Sequence, residues 1–372
     1  MSKAFRRPPT TSSVVKTWRP EDGSLGGKDQ LKSDPVAVYP NLLPGCNQRE
    51  NSGGAMAHTH YRWPVAALLA ALCACGGSSG NTAQSRIQTS GSAIRARNTG
   101  TPTLQTNGMI PFNTLGDIWA EGTTIYLAGR FAGEVYIVDA SNPDVPTLVG
   151  TISGLGIPQD VKAQNGILYV TNEAGGPVGL WIYDVSNPAM PMLLGTLTSP
   201  GLANIHNVFV DGDYAYVASN ATGDVHVLDV RNPAAPMDIA RIPKPGGLGV
   251  HDMMARGGIC YVAFWDRGFT IADVSTPSAP VVLRNHTYPG NRTHSVWPSD
   301  DGRHVFTTDE LVGGHLKAFD ISDLGNIQQV GSYEAIPNII IHNAVIDGRY
   351  AYISYYVEGL HIVDISDPSN IT

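Results

Sequence analysis

From about residue 112 to its end the chain is built of short apolar runs separated by polar, glycine-marked turns. Four kinds of run recur in a fixed order. A first kind ends in a Gly turn, as in NVFVDGD (Asn207 to Asp213), and a second is rich in Tyr, Val and Ala, as in YAYVAS (Tyr214 to Ser219). A third alternates apolar and polar residues, as in VHVLDV (Val225 to Val230). A fourth follows an Asn-Pro break, as in PTLVGTIS (Pro146 to Ser153). Alternation with a period of two predicts strands, and no stretch carries the 3.6-residue period of a helix. The pairs Asn165-Gly166, Asp211-Gly212, Gly257-Gly258, Asp301-Gly302 and Asp347-Gly348 predict tight hairpins, because such turns need positive φ.

The four-run unit repeats six times. Its clearest column is an Asp closing the third run: Asp139, Asp184, Asp229, Asp273, Asp320 and Asp364, at successive intervals of 45, 45, 44, 47 and 44 residues. Periods of this length in a strand-rich chain belong to propeller blades. The expected fold is all-β: a six-bladed β-propeller of four-stranded antiparallel blades. The last unit ends before a fourth run, whereas Asn98 to Leu104 (NTGTPTL) parallels the fourth-strand sequence Asn142 to Leu148 (NPDVPTL). An N-terminal strand near residues 100–107 is therefore expected to pair with Leu360 to Ile365, completing the last blade and closing the ring.

The third-run motif resembles the one that names the LVIVD-repeat family of bacterial surface and secreted proteins. It is matched most closely at Tyr136-Ile137-Val138-Asp139 and His361-Ile362-Val363-Asp364. The fifth unit departs from the pattern, reading Lys317-Ala318-Phe319-Asp320, with Leu324 where a Pro is usual. The resemblance covers roughly residues 100–372 and implies a propeller outside the cytoplasm. It brings no catalytic motif with it.

Composition narrows the function classes. Of the 372 residues, 42% are hydrophobic and 15% charged, which suits a folded core. The 24 Lys plus Arg against 32 Asp plus Glu give a net charge of −8, with no basic block, so no nucleic-acid partner is expected. Residues 56–75 (MAHTHYRWPVAALLAALCAC) have a basic lead and a short apolar centre, the arrangement of a secretory signal peptide. Leu72-Cys73-Ala74-Cys75 resembles a bacterial lipobox, which implies lipidation at Cys75, a flexible tether over residues 76–97 and a membrane partner through a lipid anchor. Residues 1–55 lack periodicity and are expected to be a spurious or disordered extension, with Met56 the start. Cys260 lies in an apolar second strand and reads as a packed thiol.

Two columns carry candidate chemistry. The six repeated aspartates precede Ser/Asn-x-Pro turns and are expected to cap backbone N–H groups. At the start of each first strand stand Gly116-Asp117, Gln159-Asp160, His206-Asn207, His251-Asp252, His294-Ser295 and His342-Asn343. In a propeller these strands line the central channel, so His206, His251, His294 and His342 are expected to converge at one mouth. Four neutral imidazoles suit iron, copper or zinc. Structural hydrogen bonding in a polar channel and general acid/base work are the other readings of this column. Asp160, Glu173, Asp252, Asp266, Asp309 and Glu310 are the candidates for carboxylates that orient the rings, with Asp309 and Glu310 the preferred partners of His294. His226 and His361, on third strands, read as ordinary packed or solvent-facing residues. Phe264-Trp265 and Tyr355-Tyr356 would suit a binding surface at the same mouth. No nucleophile elbow, P-loop, HExxH or CxxC occurs. The expectation is a lipid-anchored extracytoplasmic module that binds a small molecule or protein through a His- and carboxylate-rich mouth. The alternatives are a metal-dependent enzyme with a four-His axial site, and a purely structural spacer.

Overall fold

A computed structural model describes residues 115–174, 178–356 and 358–372. The expected closing strand near residues 100–107, the segment 56–75 with Cys75, and the tether all lie outside the described residues.

Among the described residues there are six antiparallel sheets, five of four strands and the last of three (Ile341–Asp347, Tyr350–Tyr355 and Gly359–Asp364). In each the strands pair in chain order from the innermost outward. The inner strands are Ile118–Glu121, Pro158–Gln164, Ile205–Asp211, Val250–Arg256, Thr293–Pro298 and Ile341–Asp347. Burial follows the sequence classes. The Val/Ala-rich second strands are almost wholly buried, as at Tyr214–Ser219, whereas fourth strands such as Val281–His286 are largely exposed. The apolar effect thus selects which run faces neighbouring blades.

That the blades form a ring follows from contacts between alternate ones. Trp119 of the first blade lies 6.1 Å from Phe209 of the third, and Phe209 lies 6.1 Å from Trp297 of the fifth, each pair edge to face. These inner-strand aromatics meet across the axis and fill the channel there. Trp119 Nε1 also donates to the carbonyl of Ala163 in the second blade.

The repeated aspartates cap turns. Asp139 Oδ1 accepts the N–H of Ser141 at 2.8 Å, and the same i to i+2 bond recurs at Asp184, Asp229, Asp273, Asp320 and Asp364. At Asp139 the Ser141 N–H holds the carboxylate below its usual pKa. The proline that follows each turn has a packing role. A Cβ on Gly150, Gly195 or Gly331 of a fourth strand would collide with the carbonyl of Pro188, Pro233 or Pro368 in the next blade. Where Leu324 replaces that proline in the fifth blade, the fourth blade carries Arg284 in the register of the glycine. At these three contacts blade spacing is set by a glycine meeting a turn carbonyl, whereas the third blade carries Ala240 at the same register.

Candidate metal centre at the propeller axis

Each inner strand from the second blade to the sixth carries a β-bulge close to its start. In the fourth blade Val250 pairs with Phe264 and Asp252 with Ala263, so His251 is the extra residue. His206 and His294 are extra in the same way, and the register also shifts across Gln159-Asp160 and His342-Asn343. A bulge lets two consecutive side chains face one side of a strand, which a regular pleat forbids. Both members of the pairs in the second, third, fourth and sixth blades consequently reach the axis, whereas in the fifth only His294 does and Ser295 bonds to Thr308 and the Ala344 N–H. Hydroxyls on second strands catch the displaced amides: Asp160 N–H donates to Thr171, Ser295 to Thr308 and Asn343 to Ser354.

The result is an open axial cavity of about 290 Å³, mouth included, lined by inner-strand residues of all six blades. Its upper layer holds His206, His251, His294 and His342, with Gly116 and Gln159 on the remaining side. Neighbouring imidazole centroids lie 4.3, 3.9 and 4.0 Å apart along that series. Below them are Asp117, Asp160, Asn207, Asp252 and Asn343. Lys162, two residues further along its strand than Asp160, bonds through Nζ to Asp117 (2.7 Å) and Asp160 (2.5 Å), and Asn207 Nδ2 donates to Asp160.

The electrostatics of the two layers differ. Burial and the mutual repulsion of charged imidazoles push His251 and His294 well below the usual histidine range and His342 down to about 3. These rings are neutral at physiological pH, the protonation state in which imidazole ligates metals. Nδ1 of His251 and Nε2 of His342 are buried with no hydrogen bond. In the lower layer burial raises Asp252 to about 7. Burial and the facing charge of Asp117 raise Asp160. Burial works against the charge on Lys162, but Asp117 and Asp160 outweigh it and keep the ammonium protonated.

Two carboxylates touch the imidazole layer. Glu173 Oε1 lies 2.7 Å from His206 Nδ1, and its other oxygen accepts from Arg130 at 2.9 Å. Glu310 Oε2 lies 3.6 Å from His294 Nε2, and its other oxygen accepts from the Tyr356 hydroxyl. Donor atoms of His251, His294 and Glu310 all fall within 4.8 Å of one another. Tetrahedral ligands at ~2.1 Å from a metal lie about 3.4 Å from one another, so binding would draw the most widely spaced of these donors together. The converging donors are thus two imidazoles and a carboxylate, where four imidazoles had been expected. His206 and His342 flank them.

The other expected carboxylates divide. Asp160 and Asp252 lie in the cavity, one layer beneath the rings. Asp309, expected beside His294, does not reach it. It pairs with Thr293, and its carboxylate accepts from the Tyr288 hydroxyl (2.9 Å) and the Arg292 N–H (2.7 Å) and forms an ion pair with Lys317 Nζ (2.8 Å). Successive residues at a strand end face opposite ways, so Glu310 takes the position beside His294. Asp266 is also displaced: it accepts the Leu248 N–H and sits 3.5 Å from Arg267 at a hairpin. His226 is fully buried, bonded to Asp238 and Thr222. Asp117, Arg130 and Lys162 had not been singled out. Lys162 was findable as the one charged residue in the column Trp119, Lys162, Phe209, Met254, Trp297, Val345. Trp265 and Tyr356 edge the rings, at 4.3 Å from His251 and 4.9 Å from His342.

The LVIVD repeat is matched five times, over residues 115–153, 156–199, 204–241, 249–287 and 342–372, just over half of the chain. The chain belongs to the LVIVD-repeat family. The unmatched LVIVD unit is the fifth, the one that departs from the motif at Phe319 and Leu324. No curated protein matches the chain. Among solved structures this LVIVD protein is similar to a periplasmic gluconolactonase of Pseudomonas aeruginosa, at 14% identity and a TM-score of 0.60, covering 75% of this chain and 89% of that one. It is similar also to a candidate 6-phosphogluconolactonase of Bacteroides fragilis NCTC 9343, at 14% identity and a TM-score of 0.63, covering 74% and 86%. A computationally designed protein, Ika8, matches at 12% identity and a TM-score of 0.53, covering 73% and 77%. A likeness shared by structures named as lactonases and by a designed protein reports the fold and carries no activity to this LVIVD chain.

Proposed function

We propose that this protein is an extracytoplasmic, lipid-anchored propeller that binds a divalent transition metal at its axial mouth and presents that metal to a ligand. His251, His294 and Glu310 are the metal's residues. The observation that carries the reading is their convergence within 4.8 Å beside buried, neutral imidazoles. Two nitrogens and a carboxylate oxygen leave coordination positions open, the arrangement suited to zinc or iron and compatible with copper. Glu173 fixes the His206 ring beside the site through its Nδ1. Anchoring rests on Leu72-Cys73-Ala74-Cys75, with Cys75 as the lipidated residue.

The test is metal analysis of full-length protein purified without a His tag, then dialysed against zinc, iron(II) or copper(II). One equivalent of a bound metal is expected, lost in His251→Ala and in Glu310→Gln but kept in His361→Ala. Wild-type protein that stays metal-free after all three dialyses overturns the reading. Labelling of Cys75 by a radioactive fatty acid, abolished in Cys75→Ser, tests the anchor separately.

A further inference from the structure

Beside the proposed metal residues stands a cation that forms no ion pair among the described residues, its charge felt at a distance by Glu310. The exposed Arg292 lays its guanidinium over Trp265, 4.7 Å from the ring centroid. Trp265 in turn lies 4.3 Å from His251 and 5.8 Å from His294. The backbone of Arg292 is pinned at both ends, its N–H to Asp309 and its carbonyl to the N–H of Glu310. Its guanidinium meets no carboxylate among the described residues, whereas Arg130, across the mouth, is paired with Glu173. In a chain of net charge −8, an unpaired guanidinium fixed beside a cluster of donors is a local reversal of sign.

The charge balance there selects an anion. A divalent metal held by two neutral imidazoles and Glu310 keeps one positive charge, and Arg292 adds a second. Glu173 and the aspartate layer beneath oppose a dianion. The indole face of Trp265 lies under Arg292, and the segments adjoining Trp265 and Glu310 carry exposed Leu248 (65%), Leu311 (36%) and Val312 (61%). Exposed apolar groups around fixed charge are the usual make-up of a ligand mouth.

We infer that the exchangeable ligand of the centre is a monocarboxylate with an apolar body, its carboxylate shared between the metal and the Arg292 guanidinium. The body lies against Trp265 and the apolar loops. This rests on the proposed metal site, and the experiment separates the two. Full-length protein is loaded with cobalt(II), whose visible spectrum reports both metal uptake and ligand exchange, and titrated with benzoate, acetate and inorganic phosphate.

Benzoate is expected to perturb the cobalt spectrum at about tenfold lower concentration than acetate, through burial of its ring. Phosphate should require at least as much as acetate. Arg292→Gln should take up cobalt with an unaltered spectrum and need about tenfold more benzoate. Arg292→Lys, which keeps the charge and loses the fork, should fall between. Cobalt uptake without any benzoate response, equal benzoate binding in Arg292→Gln, or phosphate binding as tightly as benzoate each overturns the inference and leaves the metal site standing. Failure of the wild type to take up cobalt overturns both.

Discussion

The imidazoles of His251 and His294 stand 3.9 Å apart, on inner strands of different blades and 43 positions apart in the chain. Each is the extra residue of a β-bulge. At that separation two imidazolium ions would repel strongly in a buried site, so the pair persists as neutral rings. Neutrality has a cost that appears at low pH.

The metal-free protein should lose stability on acidification. Below about pH 6.5 the unfolded chain protonates its histidines while His251, His294 and His342 remain neutral, so the unfolded state binds more protons and stability falls as pH falls. Asp252, at about 7, and raised Asp160 act oppositely, holding protons that the unfolded chain releases above ~4. The imidazoles outnumber these two carboxylates, so acidification from pH 6 to 4.5 should lower stability. Urea denaturation across that range measures the slope. His342→Gln should make it shallower, and an unchanged slope in that variant contradicts the assignment.

Lys162→Met should destabilise the protein by about 3–5 kcal/mol at pH 7, because it leaves buried Asp160 and half-buried Asp117 near Asp252 with no cation. The loss should shrink as pH falls, because burial raises Asp160 and favours its neutral form. Adding Asp160→Asn should recover part of it. A single variant as stable as wild type would mean that the lower layer is hydrated well enough to need no counter-charge.

Glu310→Gln should weaken zinc binding by at least about tenfold, since it alters a residue that holds the metal, whereas Asp309→Asn should leave zinc affinity within about twofold. Competition with a chromophoric chelator reads both. The reverse order would place the metal's carboxylate at Asp309.

Gly150→Ala and Gly331→Ala should each cost about 1–3 kcal/mol, because the new methyl meets a proline carbonyl of the next blade. Gly122→Ala, at a turn with φ of +61° and open space around it, should cost about 1 kcal/mol through backbone strain alone. Thermal melts of the three variants decide whether blade spacing or turn geometry governs.

Much of this was legible before any coordinates. The Asp column and the Gly turns located six units of strands, and the position of His206, His251, His294 and His342 within their units placed them at the axis. Asp309 and Glu310 show the limit of that reading. Which of two adjacent carboxylates meets His294 depends on a one-residue shift in pairing between two strands, and a bulge carries no composition of its own. The hydroxyls opposite, Thr171, Thr308 and Ser354, were its nearest trace. Arg292 beside Trp265 was invisible for a different reason, since the two residues belong to adjoining blades that meet only when the ring forms.

By itself the sequence determined the period, the order of strands and the identity of the axial column, because those follow from local alternation and repetition that each unit expresses alone. Tertiary structure decided which atoms converge: the pairing of Glu173 with His206, the turning away of Asp309, and the neutral state of the crowded rings. Those outcomes depend on bulge register, on distances between blades and on the water removed when they pack, quantities that no single unit contains.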